Sequence, residues 1–414
     1  MTSMKLVSKL LKFKGFKAVS LWFEGKGEND IVVAVKPHKN GCRCPQCGRR
    51  GQIVRTMPPR RWRDVRVCGR TVWLLHAPRE IRCPTHGRRV EAPPWAEPGA
   101  RVTYRLEYLL LRCCQAMPQK AAAQLLGMPS STLSDILHRI IGRVRKGHSI
   151  RDLKTMGIDE ISYAKGHKYA TLVYDLDRSC VVWVGRGKAR QTIDRFFENA
   201  LSAYQKTKIK WACCDMSETF IGAIQQHCPN TLLILDRFHV VKALNNAVDE
   251  VRKEQWREAC PPDRKALKGL RWLLYRHSAT RSREDTSTLK ALEKANQRIY
   301  RAWRLKDEFE QLWEYKAPWA ATRFLKTWTT AAMRSRLEPL KKFVTTVRKH
   351  ADGILAFVET HLTNAVSEGL NRIVRMIKNR ASGFRDLDPF VDLIFLCVGD
   401  VDIPAQIPAR FRTL

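Results

Sequence analysis

The spacing of apolar and polar residues changes character several times along the chain, and each change predicts a different element. Residues 7–23 are rich in apolar side chains, and 30–35 form a strand-like run. Residues 65–68 and 71–76 read as two strands of a hairpin turned at Gly69 and Arg70. From 101 to 148 the period becomes helical. Leu125, Leu126, Leu133, Ile136 and Leu137 fall at spacings that pack two helices together. Ala122 is small enough for a close crossing, Gly127 ends the first helix, and Ser130 or Ser131 can cap the second.

After a linker at 146–149 the pattern turns to strands at 155–163, 168–175 and 180–185, with turns at Gly166 and 177–179. A helix at 189–204, a strand at 209–214, a helix at 218–227 and a strand at 231–235 follow. A long helix starts near Asp236. Three antiparallel strands followed by alternating helix and strand is the order of the ribonuclease-H-like fold. Residues 241–350 read as an all-helical insertion with Trp256, Trp272, Trp303, Trp313, Trp319 and Trp328. Most of these fit a core, and a minority could stack on bases. The last part reads as a helix over 351–380, with Asn364, Glu368 and Arg372 on one face. A break at Gly383 and an apolar segment at 389–398 follow.

Charge adds a partner to this outline. The chain has 414 residues, 75 of them Lys or Arg against 40 Asp or Glu, a net charge of +35. Such an excess repels itself and points to a polyanion. It is concentrated: residues 1–105 hold 23 basic and 7 acidic side chains. The apolar runs are far below the ~18–20 residues that cross a bilayer. Lys5, Lys9, Lys12 and Lys14 interrupt any apolar opening, so no secretory signal and no membrane partner are expected. The 13 cysteines include the adjacent pairs Cys113–Cys114 and Cys213–Cys214 in apolar surroundings, which fits reduced thiols and a cytoplasmic, nucleoid-associated protein.

Two knuckles carry metal chemistry. Cys44 and Cys47 flank Pro45 and Gln46 and precede Gly48; Cys83 and His86 flank Pro84 and Thr85 and precede Gly87. Each turn lets two side chains converge on one ion. With the predicted hairpin between them, the segment resembles a zinc ribbon in which Cys44, Cys47, Cys83 and His86 hold one structural Zn²⁺. Cys42 is an alternative to Cys44, and His76 fits packing better than ligation. The two helices that follow resemble a helix-turn-helix, with Ser131, Thr132, Ser134, Arg139 and Arg143 on or beside the exposed side of its second helix. An ordinary helical hairpin is the bland reading; charge and position favour DNA.

Acids at strand positions carry the other chemistry. Phosphodiester cleavage at neutral pH is served by two Mg²⁺ or Mn²⁺ ions held by carboxylates. Asp159 lies on the first predicted strand of the ribonuclease-H-like order, and Asp215 ends the fourth. An acid in an apolar strand needs a partner or a metal. Asp215 could instead only cap the helix after it. Glu160 alternates to the opposite sheet face from Asp159 and ranks below it. Asp236, which ends the next strand, and His239 after it are accessory candidates, or Asp236 is simply a cap. A third carboxylate is expected from a late helix.

The order of these motifs, with Ile158-Asp159-Glu160, Asp215-Met216-Ser217, Asp236 through His239, and Ser367-Glu368-Gly369-Leu370-Asn371, resembles the ISL-three family of insertion-sequence transposases. The resemblance runs from about Cys44 to Phe384. It implies an Asp-Asp-Glu triad at Asp159, Asp215 and Glu368, which lie 56 and then 153 residues apart; Glu368 is selected by the resemblance alone. It implies binding of terminal inverted repeats and of target DNA, a likeness in the helical insertion, and a homodimer by analogy with other transposases. The implied chemistry is hydrolysis at an element end, freeing a 3′-hydroxyl that attacks a target phosphodiester. Arg375 and Lys378 would steady phosphates, or form a plain solvated face. The long gap between the knuckles and the His in the last place depart from the pattern and bear on the ligand set only.

The expected organisation is a multidomain α+β and α/β protein: zinc ribbon 1–100, helix-turn-helix 101–148, ribonuclease-H-like domain 149–240, helical insertion 241–350, and C-terminal helices with the third carboxylate at 351–414. Two rival functions are a zinc and helix-turn-helix DNA-binding regulator and a hydrolytic structure-specific nuclease.

Overall fold

The computed structural model describes residues 3–11, 13–38, 42–146, 148–362 and 365–412. The chain divides into two compact units, 1–148 with 374–414 and 149–373.

In the first unit a helix, Ser3–Leu11, precedes seven strands among the described residues: β1 (Phe16–Glu24), β2 (Asp30–Pro37), β3 (Gln52–Thr56), β4 (Arg60–Val67), β5 (Arg70–His76), β6 (Arg79–Cys83) and β7 (Gly87–Val90). They form two sheets, ordered β1-β2-β5-β4 and β3-β6-β7. The hairpin β4–β5 was expected to belong to the knuckles. It pairs instead with β2, because Val33, Val72 and Leu74 share an apolar face with Trp62. Its turn lies at Cys68 and Gly69, both at positive φ, as a tight two-residue hairpin requires. Trp95 is fully buried against the rings of Phe13, Phe16, Trp62 and His76.

Buried His76 donates from Nε2 to Glu91 Oε1 at 2.9 Å. The other Glu91 oxygen accepts from Arg79 Nη2 at 2.7 Å and from the Cys42 thiol at 3.2 Å. Burial alone would raise this carboxyl; the three donors His76, Arg79 and Cys42 outweigh it and hold Glu91 at about 2. One acid thereby ties strand β5 to the segments around β6 and β7.

Three helices follow, Tyr104–Ala116, Gln119–Leu125 and Ser130–Lys146. Thr103 caps the first by accepting from Leu106 N–H. Gly127 takes φ 63° where the second ends. Leu126, Leu133, Ile136 and Leu137 are buried as their spacing predicts; Leu125 is 58% exposed, on the outer side of its short helix. The apolar segment near the C-terminus is a helix, Asp388–Val398, packed on the first and third of these. The expected C-terminal segment 351–414 is divided between the two units at Ile373, and the late helix Asp388–Val398 is buried within the first.

The second unit is built on β8 (Thr155–Ala164), β9 (Lys168–Asp175), β10 (Cys180–Arg186), β11 (Trp211–Cys214) and β12 (Leu232–Leu235). Their order is β10-β9-β8-β11-β12. The first three are antiparallel, and β11 runs parallel to both β8 and β12. After β12 the described chain is helical as far as Thr360, starting with Arg237–Glu258 and ending with Ala351–Thr360. The last of these packs on β12. A Cβ on Gly353 would lie 2.8 Å from Leu235 Cγ, so glycine is what allows the approach.

The single helix expected over 351–380 is two. His361 takes a left-handed φ of 51° after Thr360, and a new helix runs Ala365–Arg380. Asn364 lies outside the described residues. Of the six tryptophans, Trp313 and Trp328 are buried, Trp303 is half-buried, and Trp256, Trp272 and Trp319 are exposed, so fewer than expected are core.

Candidate active site and metal cluster

The parallel register sets acids side by side. Cys213 pairs with Gly157, and Cys214 with Leu235. Continuing both ladders places Asp159, Asp215 and Asp236 abreast, Asp159 midway along β8 and the other two just past the C-terminal ends of β11 and β12. Asp159 is half-buried. Its Oδ1 accepts from Glu160 N–H at 2.7 Å and its Oδ2 from Asn371 Nδ2 at 2.5 Å. Burial raises its pKa and the like charge of Asp215 adds to this, while Glu160 N–H, His239 and Asn371 work the other way. Glu160, next to it, faces Lys188 at 3.7 Å and is also raised, first by burial.

Asp215 Oδ1 accepts from Ser217 N–H at 3.0 Å. Asp236 caps the helix after it, accepting from Phe238 N–H at 3.1 Å, and His239 Nε2 lies 3.7 Å from its other oxygen. Glu368 is exposed on the first turn of helix Ala365–Arg380. It lines a pocket with Asp236, Phe238, His277 and Glu310. Asp159, Asp215 and His239 thus form one electrostatic cluster, and Glu368 stands with Asp236 in a neighbouring pocket. Asn371 closes the Ser367–Asn371 motif, and nothing local signals its contact with Asp159.

The knuckles converge. The ligand atoms of Cys44, Cys47, Cys83 and His86 all lie within 4.8 Å of one another. The closest pairs are Cys47–Cys83 at 3.6 Å, Cys44–His86 Nδ1 at 3.7 Å and Cys83–His86 Nδ1 at 3.8 Å. A tetrahedron with Zn–S bonds of about 2.3 Å has sulfur–sulfur edges of about 3.7 Å. The Cys83 thiol is held at about 6: burial opposes ionisation, but the backbone N–H groups of His86 and Thr85 favour the thiolate. This is a Cys3His cluster compatible with zinc. Cys42 does not compete, because its thiol faces Glu91 and is pushed up to about 12 by burial and that carboxylate.

On the third helix Ser131 and Thr132 are exposed and Ser134 is half-buried. Arg139 is half-buried. Its guanidinium donates to Glu107, and Arg143 lies close to both Glu107 and Glu97. Arg375 is exposed and Lys378 half-buried.

Residues 156–394 match a family model described as "Transposase", of the ISL3 group. Residues 91–141 match "Helix-turn-helix domain of transposase family ISL3". A transposase for insertion sequence element IS1001 from Bordetella parapertussis is 31% identical over 401 residues, covering 94% of this chain and 97% of that protein. The chain belongs to the ISL3 family of transposases. The transposase is also 27% identical over 393 residues to one for IS1557 from Mycobacterium tuberculosis, covering 88% of each. The Drosophila P element transposase strand transfer complex overlaps 73% of the transposase and 93% of its own chain with a TM-score of 0.39 and 10% identity, too slight to argue from. The helix-turn-helix match spans all of the first two helices and most of the third, making them the DNA-binding domain of a DNA transposase. Among the described residues no helix is long and apolar enough to cross a membrane.

Proposed function

We propose that this transposase binds the terminal inverted repeats of its insertion sequence and carries out metal-dependent strand cleavage and strand transfer, with Asp159, Asp215 and Glu368 as its catalytic carboxylates. The observation that carries this reading is the in-register placement of Asp159 and Asp215 on adjacent parallel strands, in a chain of this family. The strand order β10-β9-β8-β11-β12 supports a ribonuclease-H-like catalytic domain begun at 149–240 and completed by helix Ala365–Arg380, with 241–350 as its insertion. Residues 1–100, with Zn²⁺ in the Cys3His cluster, and 101–148 form the end-recognising part. The protein acts as a homodimer in the cytoplasm.

The donor set fits two Mg²⁺ or Mn²⁺ ions. Asp159 and Asp215 are in register and offer hard carboxylate oxygens, and a half-buried Asp159 beside a second acid has an unfavourable charge that a cation relieves. Bound divalent ions would supply charge neutralisation at phosphorus and a strong oxygen nucleophile at neutral pH. Asp159 and Asp215 would hold both ions and Glu368 one. His239 and Asp236 stand close enough to assist. Ser131, Thr132 and Ser134 would read or grip the end DNA, and Arg375 and Lys378 would steady phosphates.

The test is incubation with DNA carrying the element's ends in Mg²⁺, scoring cut and joined products. Asp159→Asn is expected to lose both while binding that DNA as tightly as the parent. Full cleavage by this variant overturns the assignment.

A further inference from the structure

Asn371 is 2% exposed and sits between two groups of fixed polarity. On one side its Nδ2 donates to Asp159 Oδ2 at 2.5 Å. On the other the Tyr174 hydroxyl donates to Asn371 Oδ1 at 2.5 Å. The two ends of an Asn amide are hard to tell apart by shape, but chemistry separates them here. An ionised carboxylate only accepts, so the amide must turn its NH₂ to Asp159. Its carbonyl then faces the phenol, which can donate. Tyr174 is fully buried on β9, paired opposite Gly157 on the strand that carries Asp159. The relay from phenol to amide to carboxylate therefore runs in one direction and rests on a rigid strand.

The other oxygen of Asp159 is held by Glu160 N–H at 2.7 Å. A donor on each oxygen fixes the plane of the carboxylate and directs its remaining lone pairs. Asn371 also lies three residues after Glu368 on the same helix, so the two side chains are neighbours on its surface. The contact that orients Asp159 thus also sets the rotation of the helix that presents Glu368.

We propose that Asn371, locked by Tyr174, is the positioning residue that orients Asp159 toward its cations and registers Glu368 against it. This rests on the reading of Asp159 and Glu368 as metal-binding carboxylates. Outer partners of this kind typically alter metal affinity by about 10–100-fold when removed.

The experiment measures Mn²⁺ binding to the full-length protein directly, by the electron paramagnetic resonance of free Mn²⁺, beside the Mn²⁺ dependence of end cleavage. Asn371→Ala is expected to raise the Mn²⁺ concentration needed for both by about 10–100-fold, with cleavage largely recovered at saturating Mn²⁺. Tyr174→Phe keeps the ring and frees the amide, so it is expected to shift both in the same direction by a smaller factor. A role in packing alone would lower the melting temperature of the metal-free protein and leave Mn²⁺ affinity of the folded protein unchanged. That result overturns the proposal. If Asn371→Ala does not fold, Tyr174→Phe decides alone. Asp159→Asn run in parallel separates the two readings. If it binds Mn²⁺ and cleaves normally, the active-site assignment has failed. If it is inactive while the Asn371 and Tyr174 variants bind Mn²⁺ as the parent does, only the positioning role has failed.

Discussion

Arg139 donates to Glu107 at 2.6 Å, and Glu107 is fully buried. The pair links the third helix of the DNA-binding domain to the first. Burial raises the Glu107 carboxyl toward its neutral form, and the guanidinium charges of Arg139 and Arg143 pull the other way. Removing one partner of a buried pair strands the other charge. Arg139→Ala is therefore expected to destabilise the protein by about 3 kcal/mol, somewhat relieved by Arg143. Thr132→Ala, at an exposed position on the same helix, should leave stability within about 0.5 kcal/mol and weaken DNA binding. Urea denaturation and a DNA-binding titration on both variants check this; equal stability of the two would refute it.

The two cysteines of the first knuckle region should separate cleanly. Cys47 is within 3.6 Å of Cys83 in the cluster, whereas Cys42 bonds Glu91. Cys47→Ser is expected to lose zinc, and Cys42→Ser to retain one ion per chain, as read by metal analysis of the purified proteins. Structural zinc binds with about 10–16 kcal/mol in isolated peptides, so its removal by chelator should unfold the small three-stranded sheet. Zinc loss from Cys42→Ser would mean the ligand set is misassigned.

Glu91 gives the first unit an acid-sensitive joint. Its pKa falls from 4.5 to about 2 on folding, so its contribution is fully present above pH 4.5 and is lost as pH falls toward 2. The shift corresponds to about 3 kcal/mol at neutral pH. Glu91→Gln should be less stable than the parent by roughly that amount at pH 7. The gap should narrow steadily below pH 4.5; a gap that stays constant to pH 2.5 would show that the carboxylate charge is not its source.

Asp236 joins a structural and a chemical position. Asn caps a helix about as well as Asp, while Ala costs about 1 kcal/mol. Asp236→Asn is expected to melt with the parent yet cleave end DNA at least about tenfold more slowly, as befits an accessory acid. Parent-like cleavage would leave Asp236 as a cap only.

What the sequence made legible was local. Each knuckle is a turn of a few residues, so proline, glycine and ligand spacing pair Cys44 with Cys47 and Cys83 with His86, and the four ligand atoms meet in one cluster. The strands of the second unit follow their own alternation and turn residues. The errors lie where distant partners decide. Hairpin β4–β5 pairs with β2, some forty residues earlier, which its own period does not encode. Arg139 finds its ion-pair partner in a buried acid 32 residues earlier, which no local pattern announces. Asn371 reaches an aspartate 212 residues upstream. The left-handed His361 breaks a helical pattern that carries no glycine or proline at that point.

The close seat of Gly353 on Leu235 has a wider meaning for how such a chain can vary. The polypeptide departs from strand β12 at Leu235 and, more than a hundred residues later, docks back on the same side chain. Start and finish of the excursion meet at one place, so the sheet is indifferent to how long the excursion is. Lengthening a closed excursion costs only logarithmically in chain entropy, about 0.6 kcal/mol per doubling. The helices between those two residues are thus free to be enlarged, trimmed or exchanged during descent, while the acids of the sheet keep their places.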